Sequence, residues 1–250
     1  MAANWKMYKT AQQTAEFLTQ FRPLLDNLHH GRDGACEVVL FPPALSIPAA
    51  VSGAAGSRIQ IGGQNIYWER EGAFTGEISA PMLAAAGAAY ALVGHSERRQ
   101  YFCESDAQVL KKAQAALSAG LKPLICVGER LEEHKGGQTR EVLIRQFAGG
   151  IAGLTEEEFT QIAIAYEPVW AIGTGQTATP QIAADAHRMI RAEAGKRYGD
   201  SAAEQLPILY GGSVKPDNIV GLMAEPAIDG VLVGGASLDP QSFAKIVAAA

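Results

Sequence analysis

The chain has 250 residues, 48% of them hydrophobic and 19% charged, and a formal net charge of -5. That composition can bury a sizeable core in one domain, and the acidic balance excludes a sequence-independent hold on nucleic acid, which needs basic surface to replace counterions. The apolar stretches are short or broken by glycine and proline, and no charged start precedes one, so a cytoplasmic protein without signal peptide or membrane span is expected.

Eight short apolar runs read in chain order as buried parallel strands. They are AANW (2–5), EVVLF (37–41), RIQIGG (58–63), YALVG (90–94), KPLICVG (122–128), IAIAYE (162–167), PILYGG (207–212) and GVLVGG (230–235). Alanine-rich segments with helical start and stop signals lie between them. Thr179-Pro180 and Asp239-Pro240 set a capping side chain before a proline at the first helical position, and Gly120 ends the segment 105–119. Within 179–194, Ile182, Ala186, Met189, Ile190 and Ala194 follow helical spacing and predict an apolar stripe. Eight strand-helix units in a chain of this length predict an α/β fold, a single-domain (β/α)8 barrel over 1–250 with eight parallel strands inside a ring of helices. An open doubly wound sheet is the alternative. No linker or low-complexity segment divides the chain.

Catalytic groups of such a barrel sit on loops after the C-terminal strand ends. Asn4 and Lys6 follow the first run, His95, Ser96 and Glu97 the fourth, and Glu167 the sixth. Gly211, Gly212 and Ser213 follow the seventh, and Gly234 and Gly235 the eighth. The two glycine pairs let backbone N–H groups approach an anion, which describes a phosphate site; tight turns needing positive φ are the bland alternative. Pro168 pushes Glu167 towards extended geometry at a strand end, where a carboxylate can project over the barrel mouth or sit in a satisfied ion pair. His95 precedes a helix start at SERR, and a helix N-terminus disfavours the imidazolium, so a neutral ring able to donate a hydrogen bond is expected. Cys36, Cys103 and Cys126 are odd in number without close pairing, which fits reduced thiols. The histidines, His29, His30, His95, His134 and His187, lack metal-ligand spacing with them, so no metal is expected.

Gly173-Thr174-Gly175-Gln176-Thr177-Ala178 has the form Gly-x-Gly-x-x-Ala. A dinucleotide loop would place its first glycine directly after a strand, with an acidic residue near the end of the next strand. Here six residues separate Tyr166 from Gly173, and Glu193 lies inside a helical pattern.

With Asn4-Trp5-Lys6, VGHSERR, YEPVWAIGTG, YGGSV and GVLVGGASL in this order, the chain resembles the triose-phosphate isomerase family from end to end. The resemblance implies a TIM barrel and a cofactor-independent interconversion of dihydroxyacetone phosphate and D-glyceraldehyde 3-phosphate through an enediolate, in glycolysis and gluconeogenesis. It makes Glu167 the base, His95 the neutral electrophile and proton shuttle, Lys6 the stabiliser of developing charge and Asn4 a substrate-placing group. This family is a standard case of acid-base tuning, so those roles come with the resemblance. Glu97 becomes a supporting carboxylate near Lys6, and Ser96 a hydrogen-bonding partner of the base before substrate binds. Ser213, Gly212, Gly234 and Gly235 hold the phosphate. Pro168 to Ala178 becomes a lid, with Pro168, Val169 and Trp170 and then Gln176, Thr177 and Ala178 as hinges. Ala171, Ile172, Gly173, Thr174 and Gly175 form its tip, which brings the Gly173 N–H onto the phosphate. The segment 65–79 implies a homodimer, with Thr75 reaching a partner's site. The chain departs from the family in a first strand several residues shorter than usual and in Cys103, which stands where glycine is common. Its thiol either tightens that turn or is open to oxidation. Another sugar-phosphate barrel enzyme or a scaffold without turnover are the rivals.

Overall fold

The computed structural model describes residues 1–28, 36–172 and 177–249. Its strands are β1 (Ala2–Asn4), β2 (Val38–Phe41), β3 (Ile59–Gly63), β4 (Tyr90–Val93), β5 (Lys122–Val127), β6 (Ala163–Tyr166), β7 (Ile208–Tyr210) and β8 (Gly230–Val233). They pair in chain order, all parallel, and the barrel closes with Ala2 opposite Leu232 and Ala3 opposite Val233. The eight expected runs all become strands, which rules out the open sheet. Each run is trimmed by one to three residues where the chain turns off the ladder.

The helices are α1 (Ala11–Asn27), α2 (Ile47–Ala54), α3 (Ala80–Ala85), α4 (Ser96–Tyr101), α5 (Asp106–Ser118) and α6 (Leu131–Lys135). They continue with α7 (Thr139–Gly150), α8 (Glu156–Phe159), α9 (Pro180–Tyr198), α10 (Asp200–Gln205), α11 (Ile219–Met223) and α12 (Pro240–Val247). The Thr179 hydroxyl accepts from the Ile182 N–H at 3.2 Å and Asp239 from the Ser242 N–H at 2.7 Å, so both expected caps form. The stripe on α9 is rotated from the expected one. Ala183, Ala186, His187, Ile190 and Ala194 are buried, whereas Ile182 is 38% exposed. Ile182 sits in the first turn at the edge of the buried face, and His187 takes the place that an apolar count leaves empty.

Alternation along the strands makes two cores. Ala2, Val39, Phe41, Tyr90, Leu92, Leu124, Cys126, Ala165 and Leu232 fill the barrel. Ala3, Leu40, Ile61, Ala91, Val93, Ile125, Ile164, Tyr166, Ile208 and Val233 point outward into a larger core shared with the helices. Phe41 needs Gly62 beside it, because a Cβ there would lie 2.4 Å from its ring.

Candidate active site

The same alternation sets the residues at the barrel mouth. Asn4 lies two positions after Ala2, Glu167 two after Ala165, Gly211 two after Leu209 and Gly234 two after Leu232. All four continue the inward-facing rows at the C-terminal end, and the Glu167 N–H extends the ladder to the Val127 carbonyl at 2.7 Å. A cleft of about 370 Å³ lies behind Glu167, but the mouth itself opens into one of about 580 Å³ lined by Asn4, Lys6, His95, Glu167, Gly212, Ser213, Gly234 and Gly235. Side chains and glycines from five strand ends thus face one space. Ile172 also borders it, while Gly173, Thr174, Gly175 and Gln176 lie outside the described residues. Thr75 is exposed and does not line the cleft.

Lys6 has φ 50, in the left-handed region that only glycine enters freely. Three contacts hold it there. Its N–H donates to Asn4 Oδ1 at 3.0 Å, and Gln64 Nε2 donates to the Lys6 and Phe41 carbonyls, each at 2.8 Å. Its Nζ meets Glu97 Oε1 at 2.6 Å. Asn4 therefore shapes the chain at Lys6 besides facing the cleft.

His95 caps α4, with Nδ1 accepting the Glu97 N–H at 3.2 Å, which leaves its proton on Nε2. Nε2 lies 2.8 Å from Glu167 Oε1, and the Ser96 N–H donates to Glu167 Oε2 at 2.8 Å. Burial alone raises the Glu167 pKa, but His95, then the Ser96 N–H and Lys6, outweigh it and hold the carboxyl below its ordinary range. For His95, burial lowers the pKa, yet the adjoining Glu167 carboxylate reverses this and leaves it raised. The helix terminus is therefore not the only influence on this ring, and the carboxylate 2.8 Å away acts in the opposite sense.

None of Gly211, Gly212, Gly234 and Gly235 has a positive φ, so tight turns do not account for the pairs. A Cβ on Gly212 would strike the Tyr210 hydroxyl at 2.1 Å, and Gly234 has φ -88 and ψ -115, a pairing uncommon for other residues. Gly235 has neither constraint, and no described residue lies within 4 Å of a Cβ built there. Its bare backbone faces open space at the mouth, as an anion cradle requires.

A family model described as triosephosphate isomerase matches residues 1–250. The chain belongs to the triosephosphate isomerase family. A curated triosephosphate isomerase of Solibacter usitatus is 58% identical over 247 residues, covering 99% of this chain and 97% of the relative. One of Moorella thermoacetica is 50% identical over 247 residues, covering 99% and 96%. The crystal structure of triosephosphate isomerase from Bartonella henselae superposes with a TM-score of 0.88 at 40% identity, covering 100% of this chain and 97% of that one. Membership makes the chain an isomerase and disfavours the other sugar-phosphate barrel enzymes and the scaffold.

Within this triosephosphate isomerase barrel, two polar residues at strand ends escaped the sequence reading. Gln64 follows β3, and Glu129 follows β5. Glu129 is fully buried, accepts from the Tyr166 hydroxyl at 3.1 Å and from Trp170 Nε1 at 2.8 Å, and its carbonyl accepts from the Val169 N–H at 3.0 Å. It ties the end of β6 to the turn Val169–Ala171, which overlaps the first expected hinge, Pro168 to Trp170. The strand-end rule applied to runs three and five would have singled out both. Glu104 escaped as well. It sits between Arg98 at 2.9 Å and the buried Lys112 at 2.6 Å and accepts from the Gly94 N–H at 3.0 Å, which braces the loop carrying His95.

Proposed function

We propose that this chain interconverts dihydroxyacetone phosphate and D-glyceraldehyde 3-phosphate by carrying one proton between adjacent carbons, with Glu167 as the base. The supporting observation is the meeting of Lys6, His95, Glu167 and the bare Gly235 backbone around one cleft of about 580 Å³. In the ketose-to-aldose direction, the Glu167 carboxylate takes a proton from C1 and the electron pair moves to give an enediolate. His95 Nε2–H hydrogen-bonds the carbonyl oxygen, passes a proton to it and takes one back from the neighbouring hydroxyl. The Lys6 ammonium, held by Glu97, offsets the negative charge, and Glu167 returns its proton to C2. No organic cofactor or metal takes part.

Movement of Glu167 tunes both groups. To reach the substrate carbon it leaves His95 and the Ser96 N–H, the two leading influences that lower its pKa, while burial still raises it. The carboxylate becomes a stronger base as it arrives. Its departure also removes the main influence raising His95, and burial and Lys6 then favour the neutral imidazole. Asn4 places the substrate, and Gly212, Ser213, Gly234 and Gly235 receive its phosphate.

The lid reading assigns 168–178 to closing over this cleft, with Gly173 bound to the phosphate and water excluded. The homodimer reading is supported by exposed Met7, Leu45, Phe74, Met82 and Phe102. A groove of about 360 Å³ bordered by Met7, Gln64 and Phe102 reaches Lys6 and His95 and suits a partner's 65–79 loop with Thr75. The whole chain then acts as one catalytic domain in the cytoplasm. Among the described residues no helix is long and apolar enough to cross a membrane. Glyceraldehyde 3-phosphate turnover, coupled to a dehydrogenase, tests the base assignment. Glu167→Gln is expected to lose about 10²–10⁴-fold in kcat, and a variant that keeps wild-type turnover would overturn it.

A further inference from the structure

The geometry points to His134 as a charge-sensitive latch on the lid hinge. As an imidazolium it bridges the Glu129 carboxylate and the Trp170 ring and holds the hinge in the arrangement described here; as a neutral ring it releases it. The inference rests on the reading of 168–178 as a moving lid.

His134 lies on α6, which packs against the hinge turn. Its ring stacks on Trp170 with centroids 4.2 Å apart and planes 18° apart. Its Nδ1 is buried with no hydrogen-bond partner among the described residues, 3.4 Å from Glu129 Oε1. Glu129 also holds Trp170 Nε1, so carboxylate, indole and imidazole form one cluster. A neutral imidazole gains little at that spacing. An imidazolium gains the attraction of a fully buried carboxylate on one side and of an indole face on the other. Moving Trp170 would break both.

The surrounding charges leave Glu129 as the acid that His134 meets. On α6, Glu133 is drawn to Arg130 at 3.5 Å and to Arg145 of α7 at 3.6 Å. Glu132 and Lys135 of α6 are exposed charges of opposite sign. From β6 comes the Tyr166 hydroxyl, which burial and then Glu129 keep protonated, and the hinge turn contributes Trp170, which carries no charge. An imidazole side chain can gain or lose a proton without any other change in the cluster, so its charge state is coupled to the position of the hinge.

The test labels the full-length protein with 5-fluorotryptophan and assigns the Trp170 fluorine resonance with Trp170→Phe. Wild type and His134→Gln are then titrated from about pH 8 to about pH 5, with and without glycerol 3-phosphate. His134 has a 33% exposed side chain, so glutamine fits without a core defect. The latch predicts that acidification shifts the wild-type hinge population about threefold towards the held arrangement. That shift is absent in His134→Gln, while glycerol 3-phosphate moves the Trp170 signal in both proteins. The same pH titration in both proteins would overturn the latch and leave the lid standing. A Trp170 signal that glycerol 3-phosphate leaves unmoved in both would overturn the lid reading, and the latch with it.

Discussion

Acidification should destabilise this barrel through His187, a residue that does not line the active-site cleft. His187 is fully buried on α9, with Nδ1 3.1 Å from the Ala227 carbonyl, so Nδ1 carries the proton and donates it. Its Nε2 has no partner among the described residues, and the ring meets Tyr166 edge-on with centroids 5.9 Å apart. A second proton on this ring would place a charge in the outer core. Burial is the leading reason that its pKa is lowered from 6.5 to about 4. In the unfolded chain the ring protonates near its ordinary value, and in the folded chain only near the lower one. The neutral native state therefore has its full stability above about pH 6.5, loses it as pH falls, and loses no more once pH passes below about 4. At about 1.4 kcal/mol per pKa unit, the total is about 3 kcal/mol. Urea unfolding followed by circular dichroism, at fixed protein concentration across this window, would measure it in wild type and His187→Asn. Asparagine keeps a donor near Nδ1 and does not titrate. The contributions of His95 and Glu167 are common to both proteins and cancel in the difference. The wild-type advantage should shrink by about 3 kcal/mol on acidification; parallel pH dependences would refute the reasoning.

Gln64→Met removes both donors to the Lys6 and Phe41 carbonyls while nearly keeping side-chain volume. With the left-handed Lys6 less firmly held, kcat should fall about tenfold or more, with Glu167→Gln behaviour otherwise unchanged; steady-state kinetics with unaltered kcat would show that the other contacts suffice. Cys103 is exposed with φ 53, so Cys103→Gly should relieve left-handed strain and raise stability by about 0.5–1 kcal/mol, read as a higher urea midpoint. A lower midpoint would mean that the thiol makes a compensating contact. Gly128→Ala should be the most damaging of these variants, because its Cβ would lie 1.8 Å from the Glu167 carbonyl oxygen. Backbone must move on one strand or the other, so a loss of about 3 kcal/mol together with activity is expected, and a thermal midpoint equal to wild type would contradict it.

The barrel was legible because parallel strands buried on both faces leave continuous apolar runs, and because caps such as Thr179 and Asp239 are local chemistry. The inward register of Asn4, Glu167, Gly211 and Gly234 follows from counting by two along those runs. What depends on distant partners was not legible. Ile182 matched the helical period, but the face that α9 packs inward leaves it 38% exposed and buries His187. The raised His95 pKa arises from Glu167, 72 positions away in the chain, whereas the helix terminus is its sequence neighbour. Gln64 and Glu129 act through main-chain carbonyls, a hydroxyl and an indole that only the folded barrel brings near them. The departure at Cys103 has a backbone meaning, since the position adopts a positive φ that glycine enters without strain.

Proton transfer by Glu167 is tested most directly by running the isomerisation of glyceraldehyde 3-phosphate in deuterium oxide and examining the product by proton NMR. A carboxylate that lifts the proton into a site exchanging with solvent predicts deuterium bonded to carbon in dihydroxyacetone phosphate, and loss of that label along with turnover in Glu167→Gln. Rapid turnover that persists in Glu167→Gln, with the carbon-bound deuterium of the product unchanged, would mean that hydrogen passes between the two carbons without visiting Glu167, and would contradict the account.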